Sequence, residues 1–165
     1  NFVHICIKNK KLIIDHYNIK CAVGKRGIGN KKKEGDLITP KGKFKIKSIF
    51  YRKDRIQRFK SKIAKFEIHK DMGWCDDPKS KSYNKLIRFP FMYGAEKLYR
   101  KDNIYDIILV LNFNTNPIYK NKGSAVFIHV AKKKFQSTKG CIAIAKIKLK
   151  ELIKKIDNKT IIAIS

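Results

Sequence analysis

Arginine is scarce in this chain. Only 6 of its 40 basic residues are arginine, the other 34 are lysine, and 13 acidic residues leave a net charge of +27. Readers of specific nucleic-acid sequences lean on the arginine fork for phosphates and guanine edges, so the composition argues against that class. What the charge does imply is solubility and a general attraction to polyanions such as an acidic polymer or surface. Cysteine is sparse too. Residues 6, 21, 75 and 141 show no C-x-x-C spacing and no paired histidine ligands, which argues against a structural zinc site, and the chain's length argues against a dense disulfide framework. No apolar run approaches the ~18–20 residues needed to span a bilayer. The chain starts at Asn1 rather than Met, so a leader or anchor is expected to lie outside it. Internal repeats and low-complexity linkers are also missing.

Present instead is enough apolar material for a core. Hydrophobic residues make up 43% of 165 positions, with 26 isoleucines, ten Phe and seven Tyr. That size and content predict one globular domain over residues 1–165. Joint enrichment in Lys, Ile and Asn resembles compositional drift as much as selection for a partner.

The elements read as mainly β (α+β). Phe2 to Ile7 and Leu12 to Tyr17 suggest an opening hairpin, and Ile19 to Val23 a third strand. Residues 24–40 hold four glycines and Lys31-Lys32-Lys33; with no G-K-[ST] and no helix signal following, a mobile basic loop is predicted rather than a phosphate loop. Thr39-Pro40-Lys41-Gly42 is a turn signature, and residues 43–51 alternate as a strand with one wet face. Residues 52–65 read as irregular, with a short strand at Phe66 to His69. Residues 72–100 show little periodicity, yet hold the only tryptophan, Trp74, beside the acidic pair Asp76 and Asp77. Such a segment reads either as a binding loop or as Trp74 packed at the core edge with the two aspartates turning the chain. Residues 107–113 and 125–131 read as central strands. Leu149, Leu152, Ile153 and Ile156, at i, i+3, i+4 and i+7, predict an amphipathic helix on the sheet, and residues 160–164 a closing strand.

One pair of residues stands out for chemistry. His129 sits inside the apolar run Val126 to Val130, and Cys141 follows Gly140 twelve positions on. A thiol attacks only as thiolate and needs a base or a positive field, which His129 and the flanking Lys132, Lys133, Lys134 and Lys139 could provide. Gly140 permits close approach of substrate and can present N–H groups to an oxyanion. The plain alternative is a core histidine and a small buried cysteine, and the residues alone leave both readings open.

The pattern Thr138-Lys139-Gly140-Cys141-Ile142 after a strand histidine resembles the catalytic signature of the L,D-transpeptidase (YkuD-domain) family. Thr39-Pro40-Lys41-Gly42-Lys43-Phe44 is similar to its second hallmark. GIGNKKKEGDLITPKGKF, FYRKDR, GWCDDP, Tyr83-Asn84, Tyr105-Asp106 and GSAVFIHVA resemble, in order, a stand-alone bacterial subgroup. The resemblance implies an L,D-transpeptidase-like two-sheet β-sandwich with a flanking C-terminal helix. It implies Cys141 as nucleophile, His129 as base, the Val130 carbonyl as orienter, and the amides of Lys139, Gly140 and Cys141 as the oxyanion site. Thr138, Trp74, Asp76, Tyr83 and Asn84 match positions expected at the substrate. No metal or cofactor is implied. The expected partners are peptidoglycan stem peptides, with carbapenem-type β-lactams as covalent inhibitors; a monomer is the expected state and the cell envelope the expected site of action. The implied reaction is 3–3 cross-linking, in the course of building the cell wall and setting cell shape. L,D-carboxypeptidase or D-amino-acid exchange activity is the alternative at the same site, and a non-catalytic basic module binding anionic polymer the alternative of another class. Two positions depart from the family pattern: Val130 stands where glycine is usual, and Ala143 where arginine or asparagine is usual.

Overall fold

The chain's fold was obtained as a computed structural model that describes residues 3–165. It opens with β1 (His4–Lys8), β2 (Lys11–Ile14) and β3 (Tyr17–Ala22), an antiparallel meander. Asn9, Lys10 and Asp15 take positive φ and make its two turns. The second turn therefore falls at residues 15–16, and Tyr17 begins the third strand instead of ending the second. Asp15 carries that signal, because aspartate tolerates the left-handed region better than most residues. Phe2, the expected start of the first strand, lies outside the described residues.

Residues 24–40 contain a short parallel pair, β4 (Ile28–Gly29) and β5 (Thr39–Pro40). The expected 43–51 strand is split into β6 (Gly42–Phe44) and β7 (Ile46–Tyr51), and β8 (Lys65–Glu67) pairs with β7. The middle segment is more regular than its sequence suggests. There β9 (Met72–Cys75) lies between β10 (Leu86–Arg88) and β11 (Ala95–Lys97) in an antiparallel sheet of three. Strands of three or four residues are too short to show an alternation, and all four residues of β9 are buried. The remaining elements are β12 (Ile107–Leu111), β13 (Phe127–Val130), β14 (Ile142–Ile144), α1 (Lys146–Ile153) and β15 (Ile161–Ile164).

Ten strands form one continuous sheet in the order β6-β15-β1-β2-β3-β14-β13-β12-β7-β8. The sheet curls on itself. Ile5 and Ile7 from one half share a core with Leu109 and Ile128 from the other, and Leu149, Leu152 and Ile153 of α1 plug the same core. The fold is thus mainly β with a small helix, and its two layers join through the β3–β14 pairing. Each buried Leu or Ile here contributes roughly 1.5–3 kcal/mol of transfer free energy. Ile156 is buried as predicted, although it lies beyond the end of α1. Among the described residues, no helix is long and apolar enough to cross a membrane.

The central strands are covered on both faces. On β12, Ile107, Leu109 and Leu111 enter the main core, while Ile108 and Val110 face a second cluster with Phe50, Trp74, Tyr105 and Phe127. This second face carries the chemistry.

Candidate active site

Parity on two neighbouring strands brings the histidine and the cysteine together. β13 and β14 run parallel, with Ile128 opposite Ile142 and His129 opposite Ala143. Side chains alternate along a strand, so Ile128, Val130, Ile142 and Ile144 point into the main core. Phe127, His129, Cys141 and Ala143 share the other face. His129 and Cys141 are then one strand across and two residues along from each other, roughly 8 Å between Cα atoms from strand spacing alone.

The imidazole is held in one tautomer. His129 Nδ1 lies 2.9 Å from the Val130 carbonyl oxygen; a carbonyl can only accept, so the proton sits on Nδ1 and Nε2 carries the lone pair. The ring packs edge-to-face on Tyr105, with centroids 5.3 Å apart. The thiol of Cys141 donates to the Ala125 carbonyl at 3.1 Å and packs against the aromatic cluster.

A tight turn presents the cysteine. Thr138 Oγ1 donates to the Cys141 carbonyl at 2.6 Å and accepts the Gly140 N–H at 3.1 Å. Gly140 has φ +143°, and a Cβ there would stand 2.9 Å from the Ile38 carbonyl oxygen, so only glycine fits. The turn rests on residues 24–40. Thr138 N–H donates to the Val23 carbonyl, Lys25 N–H donates to the Thr138 carbonyl, and the buried Thr39 Oγ1 accepts the Gly24 N–H. The loop expected to be mobile is therefore part of the site's frame. Asp36 binds it internally, accepting Lys31 Nζ and the N–H groups of Lys32, Lys33 and Ile38.

Of the residues expected at the substrate, Trp74, Tyr83 and Asn84 are inside the protein. Asn84 Oδ1 accepts Trp74 Nε1–H and the Ala125 N–H, and its Nδ2 donates to the carbonyls of Phe113 and Asn114. Tyr83 donates to Glu34 Oε1 and accepts the Gly123 N–H, while Ser124 Oγ donates to the same Glu34 oxygen. These three side chains fix residues 123–125 and hence the carbonyl that holds the thiol. Asp77 accepts the N–H groups of Lys79 and Gly94, the chain-turning role open to it from sequence. Asp76 is half-buried near Gly94, Thr138 is half-buried, Val130 is buried and Lys139 is exposed.

Three acidic or phenolic groups escaped the sequence reading as members of the site. Tyr105 donates to the Glu96 carboxylate, and both lie within electrostatic reach of Cys141. Tyr105-Asp106 was visible only as a motif. Its Asp106 is fully buried between Arg55 at 2.9 Å and Lys146 at 2.6 Å, joining FYRKDR to the start of α1. Glu96 stands in a short strand with no local signal.

Burial dominates the site's protonation. It pushes the Cys141 thiol up to about 12, with the Glu96 charge adding to the rise, and holds His129 down to about 4. It also raises Glu96 and lifts Tyr105 well above a free phenol. Near neutrality the shared face thus carries a protonated thiol and a neutral imidazole. An unfolded imidazole titrates near 6.5, so between that pH and about 4 the unfolded chain binds a proton the folded one lacks. The stability linked to His129 is complete above pH 6.5 and is lost as pH falls through this window, by up to roughly 3 kcal/mol. Urea midpoints at pH 7 and pH 4.5 should drop more for the parent chain than for His129→Gln; equal drops would exclude a buried neutral imidazole.

Among the described residues no cluster of His, Cys, Asp and Glu could hold a metal ion. Compared with known proteins, residues 2–164 match the family model described as the L,D-transpeptidase catalytic domain, YkuD. No curated protein matches the chain.

Proposed function

This chain belongs to the family of L,D-transpeptidase catalytic domains, whose activity is directed at peptidoglycan, and from that premise we propose that Cys141 and His129 carry out acyl transfer on a stem peptide. The observation that carries the reading is the shared face: a tautomer-fixed imidazole on β13 and a thiol on the residue just before β14 project to the same side.

The donor is a tetrapeptide stem, cut between the L-centre of its third residue and the terminal D-residue. As the Cys141 sulfur attacks the carbonyl carbon, its proton passes to His129 Nε2 and the carbonyl oxygen becomes an oxyanion. The raised thiol and lowered imidazole mean that this proton moves during attack, with no standing ion pair. The sulfur first turns away from the Ala125 carbonyl. Gly140 N–H donates inside its own turn, so the oxyanion falls to the amides of Lys139 and Cys141. The C–N bond then breaks and the leaving amine takes the proton from His129. An acceptor amine attacks the thioester, its proton goes to His129 and then to sulfur, and the C–S bond breaks to give a 3–3 cross-link. No cofactor takes part.

Both departures from the family pattern have a place here. Val130 turns its side chain into the main core, so it changes packing rather than the site. Ala143 lies beside His129 and Ala22 and cannot hold the donor. Arg100, whose charge reaches His129, Tyr105 and Glu96, is itself held by Asp102, with Nε donating to Oδ1 at 2.9 Å and Nη2 to Oδ2 at 2.7 Å. Asp76 and Thr138 lie at the rim, while Trp74, Tyr83 and Asn84 act by positioning. The domain spans the whole chain, acts at the cell envelope and works as a monomer.

Tetrapeptide-bearing sacculi incubated with the enzyme should yield 3–3 dimers, identified by mass after muramidase digestion. Tripeptides alone would make it a carboxypeptidase, and exchanged stems an exchange enzyme. Unchanged sacculi would leave a non-catalytic polymer-binding module. His129→Ala should reduce turnover at least about 10³-fold, and intact turnover in that variant would remove His129 as the base.

A further inference from the structure

The buried positive charge closest to the nucleophile does not come from the lysines that flank it in sequence. Lys132, Lys133, Lys134 and Lys139 are all exposed. The side chain of Lys31 is 4% exposed, and it reaches the site from residues 24–40. Its Nζ donates to Asp36 Oδ1 at 2.8 Å and to the Ile38 carbonyl at 3.0 Å. Two glycines make room for it. A Cβ on Gly123 would stand 2.6 Å from Lys31 Cε, and one on Gly140 would stand 3.3 Å from Nζ. The stem therefore passes the residue two positions before Ala125, and the ammonium ends against the residue just before Cys141.

An apolar side chain would fill this gap without the several kcal/mol that desolvating an ion costs. We propose that Lys31 is a positioning residue for Cys141: its ammonium, oriented by Asp36, keeps a positive charge beneath Gly140 that stabilises the sulfur as it becomes anionic. Asp36 offsets part of this field, but Nζ and not the Asp36 carboxylate is among the atoms nearest Gly140. The other groups facing the sulfur are few. Glu96 from β11 opposes ionisation, the Phe127 N–H and Lys31 favour it, and Tyr105 and His129 are uncharged near neutrality. Lys139 is exposed to solvent, which screens its charge.

The inference rests on Cys141 being the nucleophile, but its test needs no turnover. Alkylation by iodoacetamide, read from the mass of the Cys141 peptide between pH 7 and 9, follows the thiolate fraction. Lys31→Gln keeps a donor for Ile38 and removes the charge; it should slow Cys141 about ten-fold at each pH, a shift of about one pH unit. Exposed Cys6 serves as the internal reference and should be unaffected. Asp36→Asn removes the counter-charge and should speed Cys141 alkylation several-fold, whereas a merely structural pair predicts no gain. Lys31→Gln at the parent rate would overturn the proposal. Should that chain fail to fold, Asp36→Asn without acceleration would overturn it alone. Loss of turnover in Cys141→Ala tests the nucleophile separately, so the two failures are distinguishable.

Discussion

Cys141→Ala is expected to abolish turnover, by at least about 10⁴-fold, and to abolish the covalent adduct with a carbapenem. The argument is chemical. Acyl transfer through a thioester needs one atom that both attacks the stem carbonyl and leaves again, and no second thiol is placed to take over. Cys21 is buried, with its thiol pushed up to about 11, and lies in β3; Cys75 is buried in β9; Cys6 is exposed on β1. A carbapenem opened by Cys141 adds its full mass, since ring opening expels nothing. Intact mass should therefore rise by one inhibitor in the parent chain and stay unchanged in Cys141→Ala. An adduct that survives the substitution, or a parent chain that forms none, would end the thiolate reading. The alanine chain should remain folded, because the thiol packs at the edge of its cluster and makes one weak hydrogen bond.

Asn84→Ala should be the most destabilising single change near the site, by about 3–4 kcal/mol. Asn84 is 4% exposed and satisfies four backbone or side-chain groups with one amide. Truncation leaves Trp74 Nε1–H, the Ala125 N–H and two carbonyls to find other partners, each orphan costing about 1–3 kcal/mol when no water reaches it. Its φ of +57° adds to the loss, since asparagine tolerates this conformation better than alanine. A guanidinium melt would measure the stability. Activity measured well below the melt should also fall, because Ala125, whose carbonyl holds the thiol, loses its anchor. Parent-like stability would mean that residues 123–125 are held some other way.

The motifs that named the family also proved to be places where distant segments meet. Thr39 accepts the Gly24 N–H beneath the Thr138 turn; Arg55 meets Asp106; Tyr83 and Asn84 grip the residues before β13. Their meaning was not legible, because a hydrogen-bond partner forty or ninety positions away leaves no periodicity in a sequence. The loop at 24–40 misled for the same reason. Glycine and lysine content suggests mobility, yet a single aspartate, Asp36, ties it down. Charge misled differently. The lysines adjacent to Cys141 in sequence face solvent, and the cation that approaches it lies 110 positions upstream.

From its sequence alone this protein could be assigned one mainly β domain, a strand histidine, a cysteine after a glycine, and a family. Those properties follow from local pattern, which survives without coordinates. Whether His129 and Cys141 share one face of the sheet depended on strand direction and register, and only the parallel pairing of β13 with β14 decided it. Their protonation depended on burial against an aromatic cluster, with Tyr105 on His129 and Trp74 and Phe127 around Cys141, that no alternation announced. A pKa is set by the surroundings of a group rather than by its neighbours in the chain, so the working state of the pair is a property of the tertiary structure.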